Sequence, residues 1–144
     1  MTKLLLLDCD GTIRQPASGK QFIQHPQDQK IIEGAARAIT HYSSMGWKIY
    51  GVSNQGGIEA GHKSLTDAIA EQAYTLALIP KIEGIYFCPD FKGEQLIQVF
   101  RHTYNSHQRA DFPMPQCPGY LLYDSFRKPG SGMLMFAIEY SNSH

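Results

Sequence analysis

LLLLDCDGT, residues 4–12, carries an uninterrupted apolar run straight into two aspartates one residue apart, then a glycine and a threonine. Four consecutive leucines suit a strand covered on both faces, as in a parallel sheet, and Gly11 argues against a long helix through the same stretch. The reading predicts a strand over residues 3–8. Two carboxylates at its end repel each other unless a cation or a proton lies between them. Such an ending therefore implies chemistry at the strand's carboxyl end.

The rest of the chain supplies the elements that a strand of this kind needs. Residues 9–27 contain Gly11, Pro16, Gly19 and Pro26 and read as a loop. Ile32, Ala35, Ala36, Ile39 and Tyr42 recur at helical spacing within a predicted helix over 28–45, which Gly46 stops. WKIYGVS (47–53) reads as a second strand, and NQGGIEAGH as a turn. Ser64 and Asp67 form an acidic capping box before Leu65, Ile69, Gln72, Ala73, Leu76 and Ile79, a helical face that Pro80 ends. GIYFC (84–88) is a third strand. Residues 89–119 read as irregular apart from a short helix at 94–101, followed by a short strand at 120–124 and a final helix over MLMFAIEYS, after the turn RKPGSG. Strand and helix alternate as in an α/β, Rossmann-like parallel sheet with helices on both faces, within one domain spanning 1–144 and with a small or absent cap.

Composition narrows the function. Thirteen basic residues balance thirteen acidic ones, so no global charge draws the chain to nucleic acid or an anionic membrane. The leucine run is too short to span a bilayer and lacks signal-peptide anatomy. Cys9, Cys88 and Cys117 are odd in number and widely spaced, which suits reduced thiols in a cytoplasm.

Ligands on open α/β sheets bind at the carboxyl ends of the strands, which gathers Asp8, Asp10, Ser53 and Asn54 onto one rim. Aspartates so placed suit Mg²⁺, an oxygen-seeking cation that also binds substrate phosphate. One can attack phosphorus while the other serves as general acid and base. Ser53, Asn54 and backbone N–H groups near Gly56 and Gly57 can hold phosphoryl oxygens, and Lys128 can neutralise the transferring group. Taken singly, each motif also reads blandly, as a surface turn or a solvated loop.

Together LLLLDCDGT, YGVSNQGGI and RKPGSGM, in this order, resemble the three first motifs of the haloacid dehalogenase superfamily of phosphatases. They resemble the small-cap group containing heptose bisphosphate, histidinol-phosphate and polynucleotide 3′-phosphatases. The resemblance implies Asp8 as nucleophile and Mg²⁺ ligand, and Asp10 as general acid and base with its carbonyl on the metal. It implies Ser53 and Asn54 on the phosphoryl oxygens, Lys128 as the orienting cation, and Arg127 on the substrate.

Two departures qualify the resemblance. Heptose-type members carry a zinc loop of four ligands, whereas this chain keeps only Cys88 and Cys117 of that pattern. His102 and His107 would complete a Cys₂His₂ zinc set, against the preferred reading of buried cysteines and solvent-facing histidines. The fourth motif, an acidic pair on a further strand, has no counterpart before His144. The expectation is thus a truncated core whose first strand stands at a sheet edge, covered by a second copy, a rearranged C-terminal segment or a partner chain. The function read here is a Mg²⁺-dependent phosphomonoesterase for a small phosphorylated metabolite of sugar-phosphate type, weak in this form. The alternatives are an inactive binding or assembly module and a polynucleotide 3′-phosphatase.

Overall fold

The computed structural model describes residues 3–111, 125–128 and 132–143. The leucine run forms β1 (Lys3–Asp8). It pairs in parallel with β4 (Trp47–Asn54), Lys3 opposite Trp47 and Asp8 opposite Val52. β4 in turn pairs in parallel with β5 (Gly84–Cys88). The alternation of side chains along β1 splits the leucines between two cores. Leu5 and Leu7 pack with Ile49, Ile85 and Phe87 beneath α1 (Ala35–Ser44) and α2 (Leu65–Leu78). Leu4 and Leu6 join Tyr50, Val52 and Tyr86 beneath α3 (Gly132–Ser143). An apolar run without alternation is what a strand with a core on each face requires.

Two elements differ from the sequence reading. The segment 94–101 is not a helix. Gln95–Val99 is a strand, β6, antiparallel to β5, and Tyr104–Gln108 is a further strand, β7, antiparallel to β6. Leu96, Ile97, Val99 and Phe100 mimic a helical stripe. In the fold, however, Ile97 and Val99 enter one core and Leu96 the other, so the true period is two. β7, YNSHQ, is polar and mostly exposed, a composition that blunts an edge strand and conceals it in the sequence. The sheet is therefore mixed, in the order β1-β4-β5-β6-β7.

The helix expected over 28–45 begins only at Ala35, after Gly34. Upstream, Lys30–Ile31 forms β3 and pairs antiparallel with β2 (Arg14–Gln15), giving a small flap directly after β1. The Asp28 carboxylate closes the loop joining them, accepting bonds from Ser18 N and Oγ and from Gln24 N. α2 starts as expected, with Ser64 Oγ accepting from Asp67 N at 3.0 Å. The predicted strand at 120–124 lies outside the described residues, as does Cys117. Among the described residues β1 pairs only with β4, and no helix is long and apolar enough to cross a membrane.

Candidate active site

The rim at the carboxyl ends of β1 and β4 is built by a tight turn. Thr12, Ile13 and Arg14 all direct their N–H groups at the Cys9 carbonyl, and Gly11 takes φ 84° to bring the chain round. The turn leaves the side chains of Asp8 and Asp10 each about half exposed, with Cys9 fully buried between them. Burial pushes the Cys9 thiol up to about 12, so it stays neutral packing material.

Lys128 reaches this rim from a distant part of the chain. Its Nζ donates to Asp8 Oδ1 at 2.5 Å and to the Val52 carbonyl at 3.2 Å. Asn54 fixes the lysine's backbone: Lys128 N donates to Asn54 Oδ1 at 2.8 Å, and Asn54 Nδ2 donates to the Lys128 carbonyl at 3.0 Å. Both ends of the Asn54 amide are thus engaged with the lysine. Ser53 is buried beside it, accepting from Gln55 Nε2 at 2.8 Å and lying 3.5 Å from Asp10 Oδ2.

Asp10 is held from both sides. Arg14 Nε donates to Oδ1 at 3.0 Å and Gln55 Nε2 to Oδ2 at 3.2 Å. Burial alone would raise the Asp10 pKa. The Arg14 charge and hydrogen bond, Lys63 and Gln55 outweigh it and hold the carboxyl below its ordinary value.

Arg127 follows a different course. Its guanidinium lies over the Phe91 ring, 5.2 Å from the centroid, and its Nη1 is buried without a hydrogen-bond partner. A Cβ at Gly56 would come within 2.9 Å of Phe91 and 3.2 Å of that Nη1, which accounts for glycine in NQGG. Phe91 N donates to Glu59, fixing the aromatic ring's loop.

The remaining sequence candidates are not brought together. Cys88 is buried at the end of β5, its thiol turned to Asp90 at 3.3 and 3.4 Å. His107 on β7 packs on Phe136 and lies 3.3 Å from Gln98 Oε1. His102 sits in the β6–β7 turn at the opposite rim, about 20 Å from Cys88 by strand rise. Cys88 and His102 thus stand at opposite rims of the sheet, and Cys117 lies outside the described residues. Among the described residues no three His, Cys, Asp or Glu side chains form a metal cluster. Mg²⁺ is less demanding, since it keeps several waters and uses one or two carboxylates plus substrate oxygens. Asp8 fits that role: it is open to solvent and only one of its oxygens is taken by Lys128.

Sequence reasoning missed the residues behind Asp10. Arg14, Glu71, Gln72 and Thr75 are all buried and mutually bonded. Their signal was a charged residue directly after Ile13 and a polar Gln72 inside the apolar stripe of α2.

The model of the polynucleotide kinase 3 phosphatase family matches residues 3–144. The chain belongs to that family. Relatives and fold place this family member in the haloacid dehalogenase superfamily. It is 28% identical over 149 residues to D-glycero-beta-D-manno-heptose-1,7-bisphosphate 7-phosphatase of Haemophilus influenzae, covering 96% of this chain and 64% of that protein. The D,D-heptose 1,7-bisphosphate phosphatase of B. bronchiseptica, solved with magnesium and phosphate, matches at TM-score 0.52 and 25% identity. That match covers 62% of this chain and 51% of the other. A HAD-like protein of Mesorhizobium loti shares the fold at TM-score 0.64 and 22% identity, over 96% of this chain and 57% of its own. The chain spans 51% to 64% of the length of the curated relatives it matches.

Proposed function

We propose that this chain is a Mg²⁺-dependent phosphomonoesterase acting on a small phosphorylated metabolite of sugar-phosphate type. The observation that carries the reading is the solvent-open Asp8 carboxylate paired with Lys128 at 2.5 Å, beside a second carboxylate, Asp10, on the same turn. Heptose bisphosphate phosphatases among the relatives and the balanced charge of the chain both favour a small substrate.

In this reading the free Asp8 oxygen attacks phosphorus and the bond from phosphorus to the leaving oxygen breaks, with Asp10, in the minor protonated form that its lowered pKa leaves, supplying the proton that the leaving oxygen takes. Asp10 then takes a proton from water as the water oxygen attacks the aspartyl phosphate. The acyl-phosphate bond breaks, Asp8 returns as carboxylate, and inorganic phosphate departs. Lys128 orients Asp8 and offsets charge on the phosphoryl group, and Ser53 lines the cradle. Asn54 acts through Lys128, whose backbone it holds. Arg127 reaches the substrate from the Phe91 side. Asp8 and the Asp10 carbonyl would hold Mg²⁺, which when bound adds positive charge against the phosphoryl oxygens.

The reading extends to surroundings and assembly. The free, buried Cys9 and Cys88 favour a reducing compartment such as the cytoplasm. Half-buried leucines on β1 and the exposed Leu134 and Ile138 on α3 favour a second copy of the chain along that edge. Light scattering that gives a monomer contradicts the assembly.

The test is hydrolysis of p-nitrophenyl phosphate, a phosphosugar panel and a 3′-phosphorylated oligonucleotide with Mg²⁺, beside Asp8→Asn. Turnover of the small esters that the substitution abolishes supports the proposal. Preference for the oligonucleotide would move it to the reading carried by the family's own description. Equal background from both proteins would leave a binding module.

A further inference from the structure

Behind the rim, five polar side chains close a circuit. Arg14 Nε donates to Asp10 Oδ1 at 3.0 Å, and its Nη2 lies 3.3 Å from Glu71 Oε2. Lys63 Nζ donates to Glu71 Oε1 at 2.7 Å and to Gln55 Oε1 at 3.1 Å. Gln55 Nε2 returns to Asp10 Oδ2 at 3.2 Å. Arg14 is anchored further by Gln72 Oε1 at 2.6 Å and Thr75 Oγ1 at 2.7 Å, and it is 0% exposed. Gln29 ties the same place to the flap, donating to the Glu71 carbonyl and accepting from Thr75.

Burying a guanidinium this completely costs stability, and apolar residues of similar volume often serve a core as well or better. A stability role therefore does not account for the circuit. Its geometry does: α2 supplies three fixed acceptors to one end of Arg14, so the Nε at the other end is aimed at a single point, Asp10 Oδ1. We infer that Arg14, locked by Glu71, Gln72 and Thr75, is a positioning residue that fixes the carboxyl plane of Asp10 and leaves Oδ2 facing Ser53 as the oxygen that exchanges protons. The inference rests on the phosphatase reading and adds to it the residues that orient the general acid.

Such a role differs from a structural one in how it responds to the leaving group. An alkoxide must be protonated as it departs, whereas p-nitrophenolate leaves without help. Arg14→Lys keeps the charge but cannot span from α2 to Asp10. Its kcat on an alkyl phosphate is expected to fall about 100-fold with KM within about twofold. On p-nitrophenyl phosphate the burst of p-nitrophenolate, which reports the first step alone, should slow only a few-fold, because that leaving group needs no proton and Asp10 enters only in hydrolysis of the aspartyl phosphate. Glu71→Gln, which weakens the circuit without removing Arg14, should give the same pattern at smaller amplitude and covers the case of a poorly folded Arg14 variant. Equal losses in the first step on both substrates, or none on either, overturn the inference while leaving the phosphatase reading standing. A crystal structure of Arg14→Lys gives a readout independent of turnover. The Asp10 carboxyl is expected to rotate from its place, and an unmoved Asp10 overturns the inference even if the wild type hydrolyses nothing.

Discussion

Asn54 grips Lys128 by its backbone, accepting from its N–H at 2.8 Å and donating to its carbonyl at 3.0 Å, and so sets the lysine ammonium on Asp8. The second strand of the sheet thereby fixes a residue far along the chain against the end of the first. Lys128 thus takes its position from the sheet, though the described residues 125–128 form no strand.

Lys128→Met should lower kcat on p-nitrophenyl phosphate by about 10²–10³-fold, the scale for removing a fixed charge that faces developing negative charge. Asn54→Ala leaves the ammonium in place chemically but frees its backbone. It should cost roughly 10–100-fold, as misplacement does. If Asn54→Ala matches wild type, the grip on Lys128 has no part in turnover.

Gly93 takes φ 73°, and a Cβ there would sit 1.8 Å from Ser125 Oγ and 2.7 Å from Arg127 N. Its carbonyl accepts from Phe126 N at 2.8 Å, so this turn is the seat of the segment that carries Arg127 and Lys128. Gly93→Ala should therefore destabilise the protein by about 1–3 kcal/mol and reduce turnover at temperatures where it is fully folded. Gly19→Ala is the control. Gly19 has φ 77° but open space around it, so only backbone strain is added and activity should persist.

Asp28 closes the flap loop, and its pKa is lowered mainly by the bond from Gln24 N, with the bonds from Ser18 acting in the same direction against burial. A lowered carboxyl stabilises the fold fully above the unfolded aspartate value of about 3.9 and loses that contribution as pH falls through its own lower value. Asp28→Asn should thus separate from wild type in thermal melts at pH 6–7, and the gap should narrow below about pH 4. A gap that widens on acidification contradicts this assignment.

Much of the framework was legible because the relevant patterns are local. The leucine run ends at Asp8 as read, GIYFC is β5, and Ser64 caps α2. Legibility failed where partners decide. Gln95–Val99 is a strand because β5 offers it an edge, and nothing in five residues announces that edge. Asp28 and Gln29 leave the predicted helix because their side chains are taken by Ser18 and Gln24 and by Glu71 and Thr75. At the site, motif order pointed to the aspartates and the lysine. The role of Asn54 as a grip on Lys128 and that of Arg14 behind Asp10 depend on contacts across the fold. Spacing alone also does not place the two histidines, since a hairpin carries His102 to the rim opposite Cys88.

The central claim is that Asp8 takes the phosphoryl group. Acid quench of the protein during turnover of a phosphate ester with Mg²⁺, followed by peptide mapping, tests it directly. The account predicts a phosphorylated peptide with the modification on Asp8, absent from Asp8→Asn. Turnover with the phosphoryl group on another residue, or undiminished turnover by Asp8→Asn, would contradict it.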